Sequence, residues 1–82
     1  VKFLYRDSRA QRVCVTGSFN EWSPHAHCMK RESDVWSITV LLSPGRYQYL
    51  FLIDDKVRKK DPGALLAQYN GFGEENSVLV VE

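Results

Sequence analysis

The sequence is short of nearly everything that binds through charge, metal or lipid. Its 82 residues set eleven Lys and Arg against ten Asp and Glu, a formal net charge of +1. Such a balance projects no field toward nucleic acid, an acidic polymer or an anionic membrane, so a neutral partner is expected. No apolar run approaches the roughly 20 residues of a membrane-spanning helix, and no membrane role is expected. The start, Val1-Lys2-Phe3-Leu4-Tyr5, has neither the basic end nor the apolar stretch of a signal peptide. A cytoplasmic setting follows as the expectation, for a single domain over residues 1–82 excised from or accessory to a larger protein. Cysteine is scarce too. Cys14 and Cys28 are too few for a disulfide scaffold, and one falls in an apparent strand while the other falls in a loop, so two free thiols are expected. His25 and His27 lie beside Cys28, but none of the paired Cys or His spacings of a zinc site is present. No metal and no other cofactor is expected.

Helical periodicity is also missing, and what is present alternates at a period of two. Val1, Phe3 and Tyr5 alternate with Lys2 and Arg6; Arg12 to Thr16 reads as a strand; Trp36, Ile38, Val40 and Leu42 share one face. The clearest alternation is Tyr47, Tyr49, Phe51 and Ile53 against Arg46, Gln48, Leu50 and Leu52, with the aromatic side taken as the core side. Clusters of Gly, Pro, Asn, Asp and Ser separate these runs: Asp7-Ser8-Arg9, Gly17-Ser18-Phe19-Asn20, a polar loop to about Ser33, Ser43-Pro44-Gly45, Asp54-Asp55-Lys56, Asp61-Pro62-Gly63 and Asn70-Gly71-Phe72-Gly73. Ala64 to Gln68 could make a helical turn but is too short for a helix. About seven short strands at this spacing predict an all-β fold, an immunoglobulin-like antiparallel β-sandwich without its disulfide signature.

The turns carry a resemblance. Gly17-Ser18-Phe19-Asn20-Glu21-Trp22 resembles the G-S-F-N-x-W signature of family 48 carbohydrate-binding modules, and Pro44-Gly45-Arg46-Tyr47-Gln48-Tyr49 is similar to their P-G-x-Y-x-Y. Trp36, Phe51-Leu52-Ile53-Asp54, Asp61-Pro62 and Gly73-Glu74-Glu75-Asn76-Ser77-Val78 fall in family order, so the resemblance covers essentially the whole chain. That family includes the glycogen-binding domain of the AMP-activated protein kinase β subunit and the early-set domains of branching and isoamylase-type enzymes of the α-amylase family. It implies an early-set fold and a non-catalytic module that grips an α-1,4-glucan such as glycogen or starch.

The candidate binding residues are Trp22, Phe72 and Asn76. Trp22 follows a turn, is bracketed by Glu21 and Ser23, and has no apolar neighbour in sequence. An exposed indole suits the flat C–H face of a glucose ring, with packing inside the loop as the structural alternative. Asn76 matches the family position whose amide bonds sugar hydroxyls, and capping the turn before the last strand is its alternative. Phe72 stands where the kinase subunit has a leucine against the sugar. Gly17, Asn20, Pro44, Gly45 and the remaining aromatics are expected to serve the fold. The chain departs from the family in two places. Val57, Arg58, Lys59 and Lys60 occupy the short strand that should carry a second tryptophan, and Leu50 replaces an outward lysine. With Leu52 beside it, Leu50 implies an apolar outer face, and hence an alternative function: a docking module that packs this Leu50/Leu52 face on a catalytic domain or partner protein.

Catalysis finds no support. Asp54 and Asp55 are adjacent on a turn and diverge, whereas paired glycosidase carboxylates face each other across a bond. No nucleophile has a motif around it. The basic run from Lys56 to Lys60 is explained by a solvated hairpin without nucleic acid.

Overall fold

The computed structural model describes residues 1–71 and 73–82. It contains eight strands among the described residues: β1 (Lys2–Arg6), β2 (Val13–Gly17), β3 (Lys30–Glu32), β4 (Val35–Thr39), β5 (Gly45–Ile53), β6 (Val57–Lys59), β7 (Leu66–Tyr69) and β8 (Glu75–Val81). A single 3-10 turn, Ser18–Asn20, follows β2. The strands form two antiparallel sheets, β1-β4-β3 and β2-β5-β8-β7, with β6 also paired to β5. The expected all-β sandwich is what forms.

The alternation dictates which side of each strand is covered. Phe3 and Tyr5 of β1 stand opposite Ile38 and Trp36 of β4, and they meet Val13, Val15, Tyr49, Phe51 and Ile53 of the other sheet. Rings interlock between the layers: Tyr5 lies 5.0 Å from Phe51, and Phe3 lies 5.0 Å from Tyr49 edge-on. Burying each of these large apolar side chains contributes about 1.5–3 kcal/mol, which is how so short a chain offsets its conformational entropy. Tyr47 faces the same way at the rim, half-buried, with its hydroxyl donating to Ser43 O at 2.6 Å.

Three local expectations change. Residues 30–32, read as loop, form edge strand β3, because Lys30, Arg31 and Glu32 can pair β4 while all three stay exposed. Residues 64–68 give no helical turn; Leu66–Tyr69 pair along β8 instead, where the partner strand satisfies backbone groups that one isolated turn would leave open. The strand holding Trp36 and Ile38 stops at Thr39, leaving Leu41 fully in solvent while Leu42 still packs on the core.

The free-thiol expectation is also overturned, since Cys14 and Cys28 form a disulfide. Val15 N–H donates to His27 O and Met29 N–H to Val13 O, so residues 27–29 add a short extra edge beside β2. This pattern makes Cys14 and Cys28 a non-hydrogen-bonded cross-strand pair, the position at which opposed side chains come closest. The loop containing Cys28 is therefore part of the sheet edge, a fact that spacing alone does not reveal.

Candidate functional site

On β5, pairing runs to β2 along one edge; along the other it runs to β8 at residues 45–49 and to β6 at residues 51–53. Leu50 thus lies where β8 and β6 part company. The side of this sheet away from the core carries Gln48, Leu50 and Leu52 of β5, Thr16 and Cys14 of β2, Arg58 of β6, Asn76 of β8 and Gln68 of β7, as the cross-strand register requires. An open cleft of about 560 Å³ sits there, lined by Trp22 and Ser18, by Gln48 and Leu50, and by Arg58 and Asn76. Gln68 and Glu74 complete its far end together with Tyr69 and Asn70.

Trp22 reaches this cleft through an unusual backbone. Glu21 and Trp22 both have left-handed φ values, 56° and 59°, a conformation that costs a non-glycine residue about 1–2 kcal/mol. The turn is held against that cost. Trp22 N–H donates to Gly17 O at 2.8 Å, and Ser23 N–H donates to Asn20 O at 3.1 Å. Asn20 Oδ1 accepts from Gly17 N–H, and its Nδ2 donates to Val15 O and His27 Nδ1. Gly17 must be glycine here, because a Cβ would lie 2.8 Å from Phe19 and 2.9 Å from Tyr49. The G-S-F-N-x-W residues other than the tryptophan thus build the turn, and Trp22 is presented at its end. The indole is 40% exposed and makes no ring contact with any described residue. At the far side of the loop, His25 Nε2 meets Asp55 Oδ1 at 2.8 Å and Arg12 approaches Asp55 at 3.6 Å, tying the loop to the β5–β6 turn.

Asn76 is 7% exposed, and its Nδ2 donates to Gln48 Oε1 at 3.1 Å across the sheet. Its amide faces the cleft and does not cap the preceding turn; that turn is closed by Asn70, whose N–H donates to Glu74 O and whose Oδ1 accepts from Glu74 N–H. Beyond Asn76, Gln68 Oε1 accepts from Arg46 at 3.2 Å. Gln48, Asn76 and Gln68 therefore run as a row of amides across three strands. The sequence reading singled out Asn76 and missed Gln48, Gln68, Arg58 and Glu74; the outward period of β5 pointed to Gln48, but the rest depend on strand register. The third candidate, Phe72, lies outside the described residues.

The outer face is not the free apolar surface that Leu50 and Leu52 implied. Leu50 is 6% and Leu52 is 8% exposed. Leu52 is flanked directly by Cys14, with its disulfide, and by Arg58; Leu50 is flanked by Thr16 and forms part of the cleft lining. Their direction was read correctly, but the neighbouring side chains of the same sheet already hide them.

No group of three or more His, Cys, Asp or Glu poised for a metal occurs among the described residues. No helix among the described residues is long and apolar enough to cross a membrane. Among the described residues the cleft thus offers two exposed aromatic rings, Trp22 and Tyr69, with an apolar floor and a row of amides: a surface for a flat, neutral, hydroxyl-rich ligand.

Comparison with known proteins points the same way. A family model described as the glycogen recognition site of AMP-activated protein kinase matches residues 1–82. The chain is 35% identical over 72 residues to Protein PTST homolog 2, chloroplastic, of Arabidopsis thaliana, covering 88% of the chain and 13% of that protein. It is 36% identical over 79 residues to Protein FLOURY ENDOSPERM 6, chloroplastic, of Oryza sativa subsp. japonica, covering 96% of the chain and 14% of that protein. It is 35% identical over 69 residues to the 1,4-alpha-glucan branching enzyme GlgB 2 of Xanthomonas campestris pv. campestris, covering 78% of the chain and 10% of the enzyme. The chain spans about a seventh or less of each of these relatives.

Proposed function

The chain belongs to the family of carbohydrate-binding modules that includes the glycogen recognition site of AMP-activated protein kinase, and from that membership we propose that it binds α-1,4-glucans without acting on them. The observation that carries this reading is the outer-face cleft, where Trp22 stands exposed beside Leu50 and the hydrogen-bonded amides of Gln48 and Asn76. A glucose ring laid on the indole gains from its C–H face, and the amides, which both donate and accept, exchange water hydrogen bonds for sugar ones. Phe72 belongs to the proposed site by its place in the family motif. The apolar contact adds the largest part of the net free energy on so open a surface, with a few oriented polar contacts adding the rest, so affinity is expected in the high micromolar to millimolar range, roughly −4 to −6 kcal/mol.

The docking reading loses its main support with the burial of Leu50 and Leu52. Attachment is a different matter. The branching-enzyme relative holds the matched segment as a tenth of its length, which favours a module carried by a longer protein, a glucan-processing enzyme being one setting. The names of the two plant relatives favour a chloroplast setting over the cytoplasm expected from sequence. The test is co-sedimentation with granular starch and, separately, with cellulose, in the presence and absence of β-cyclodextrin. Binding to starch that the cyclodextrin competes away, with none to cellulose, is expected. Equal binding to both polymers, or to neither, contradicts the proposal.

A further inference from the structure

Two charged side chains in the cleft have no partner among the described residues. Arg58 lies on β6 directly opposite Leu52, which places it on the outer face and in the cleft lining. Arg6 and Arg12 pair with carboxylates, Arg31 bonds backbone carbonyls, and Arg46 bonds Gln68, while the Arg9 side chain, like that of Arg58, has no partner among the described residues but lies outside the cleft. The Arg58 guanidinium makes no hydrogen bond or ion pair with any described residue. Glu74, in the same lining, has its backbone N–H on Asn70, while its carboxylate has no partner among the described residues. The two charges do not pair with each other, although the cleft holds both.

Arg58 also occupies the outward position of the strand on which the family places its second aromatic ring. Val57, its neighbour, stands opposite Ile53 on the other side of the sheet and cannot reach the cleft. A guanidinium offers no flat apolar platform, but it does offer a rigid fork of donors spaced for two oxygens, and hydrogen bonds from a charged donor are stronger than neutral ones. A carboxylate supplies acceptors only. Together they match both hydrogen-bonding functions of a polyol. Resting on the glucan reading above, we infer that Arg58 and Glu74 bind the glucan's hydroxyls directly, Arg58 donating hydrogen bonds from its fork to a vicinal pair of oxygens and Glu74 accepting a hydrogen bond from a hydroxyl, in place of the second ring. The opposed charges also set specificity. A neutral, unsubstituted chain satisfies both groups, whereas a phosphate ester, though matched to Arg58, adds a second anion to a cleft that already holds the Glu74 carboxylate.

Titration calorimetry with maltoheptaose, and with the same oligosaccharide carrying a 6-phosphate, tests this on wild type, Arg58→Ala, Arg58→Lys and Glu74→Gln. Arg58→Ala is expected to weaken binding of the neutral sugar about tenfold, and Glu74→Gln several-fold, roughly the effect of losing a charged hydrogen bond. Arg58→Lys is expected to recover only part of the loss, because an ammonium cannot span two oxygens. All variants should melt with wild type, since neither side chain has a partner among the described residues. Neutral binding should change less than about twofold when sodium chloride is raised tenfold, as the ligand carries no charge to screen. Wild-type affinity in Arg58→Ala or in Glu74→Gln overturns the role of that residue while leaving the glucan reading intact. Tighter binding of the phosphorylated sugar than of the neutral one overturns the specificity claim. A wild-type protein that binds neither sugar removes the glucan reading, and this inference with it.

Discussion

Tyr49 and Asp61 show how a family motif can be structural although it lies close to a binding face. The Tyr49 hydroxyl donates to Asp61 Oδ2 at 2.6 Å, Asp61 N–H donates to Ser77 Oγ at 2.8 Å, and Asp61 Oδ1 accepts from Gly63 N–H. The Asp-Pro-Gly turn is thereby pinned to the core. Burial, the hydrogen bond to Asp61 and the negative charge of that carboxylate all push the Tyr49 pKa well above its ordinary value. A raised folded-state pKa contributes stability that is complete below the unfolded value near 10 and is lost as pH rises beyond it. Tyr49→Phe is expected to cost about 1–3 kcal/mol at neutral pH by stranding the carboxylate. Melting temperature measured from pH 8 to 12 should fall more steeply for wild type than for the variant, and parallel slopes would contradict this account. Asp7 acts in the opposite direction: the N–H groups of Arg9 and Ala10 lower its pKa, so its contribution is present above the ordinary carboxylate value and fades as pH falls through the folded one. At this scale the exposure of Trp22 was legible because a tryptophan without apolar neighbours has few structural uses. Arg58 was not, because its place beside Leu52 exists only once β6 has paired.

Among the elements, β5 was the most readable and also the one whose reading misled. Its alternation assigns every inward residue correctly, with Tyr49, Phe51 and Ile53 in the core. Outward was then equated with exposed, although a central strand flanked on both edges keeps small exposure on either face. Leu50 and Leu52 are hidden by cross-strand neighbours that lie far away in sequence. The 14–28 segment carries a similar lesson. Nothing in its composition shows that residues 27–29 line up beside β2, and the disulfide follows from that alignment. Closing a loop of about 15 residues is worth roughly 3 kcal/mol through the unfolded chain, or on the order of 10–20 °C in a domain this small. Intact mass after denaturing alkylation should find both sulfurs blocked. Adding a dithiol reductant should lower the melting temperature by about that amount. Two alkylated cysteines, or identical melting with and without reductant, would contradict the bridge. Because Trp22 is also fixed by Gly17 and Asn20, glucan binding should survive reduction at temperatures where the domain stays folded.

The molecule as a whole is a small sandwich with two sides put to different uses, one packing the layers and the other presenting exposed rings, a row of amides and two charges unpaired among the described residues. Near-neutral charge suits that task, since a neutral glucan gives no electrostatic steering and recognition must come from contact alone. Fold and family were legible in the sequence because turns and alternation are local. The composition of the cleft was legible only in part, because it is assembled from β5, β6, β7 and β8, the turn after β2 and the loop before β8. Its central claim, that α-glucan binds on Trp22, is tested most directly by titration calorimetry of wild type and Trp22→Ala with maltoheptaose. The account predicts a measurable dissociation constant in the high micromolar to millimolar range for wild type, no detectable heat for the variant, and equal melting temperatures for the two proteins. Binding retained in Trp22→Ala at wild-type affinity would contradict it.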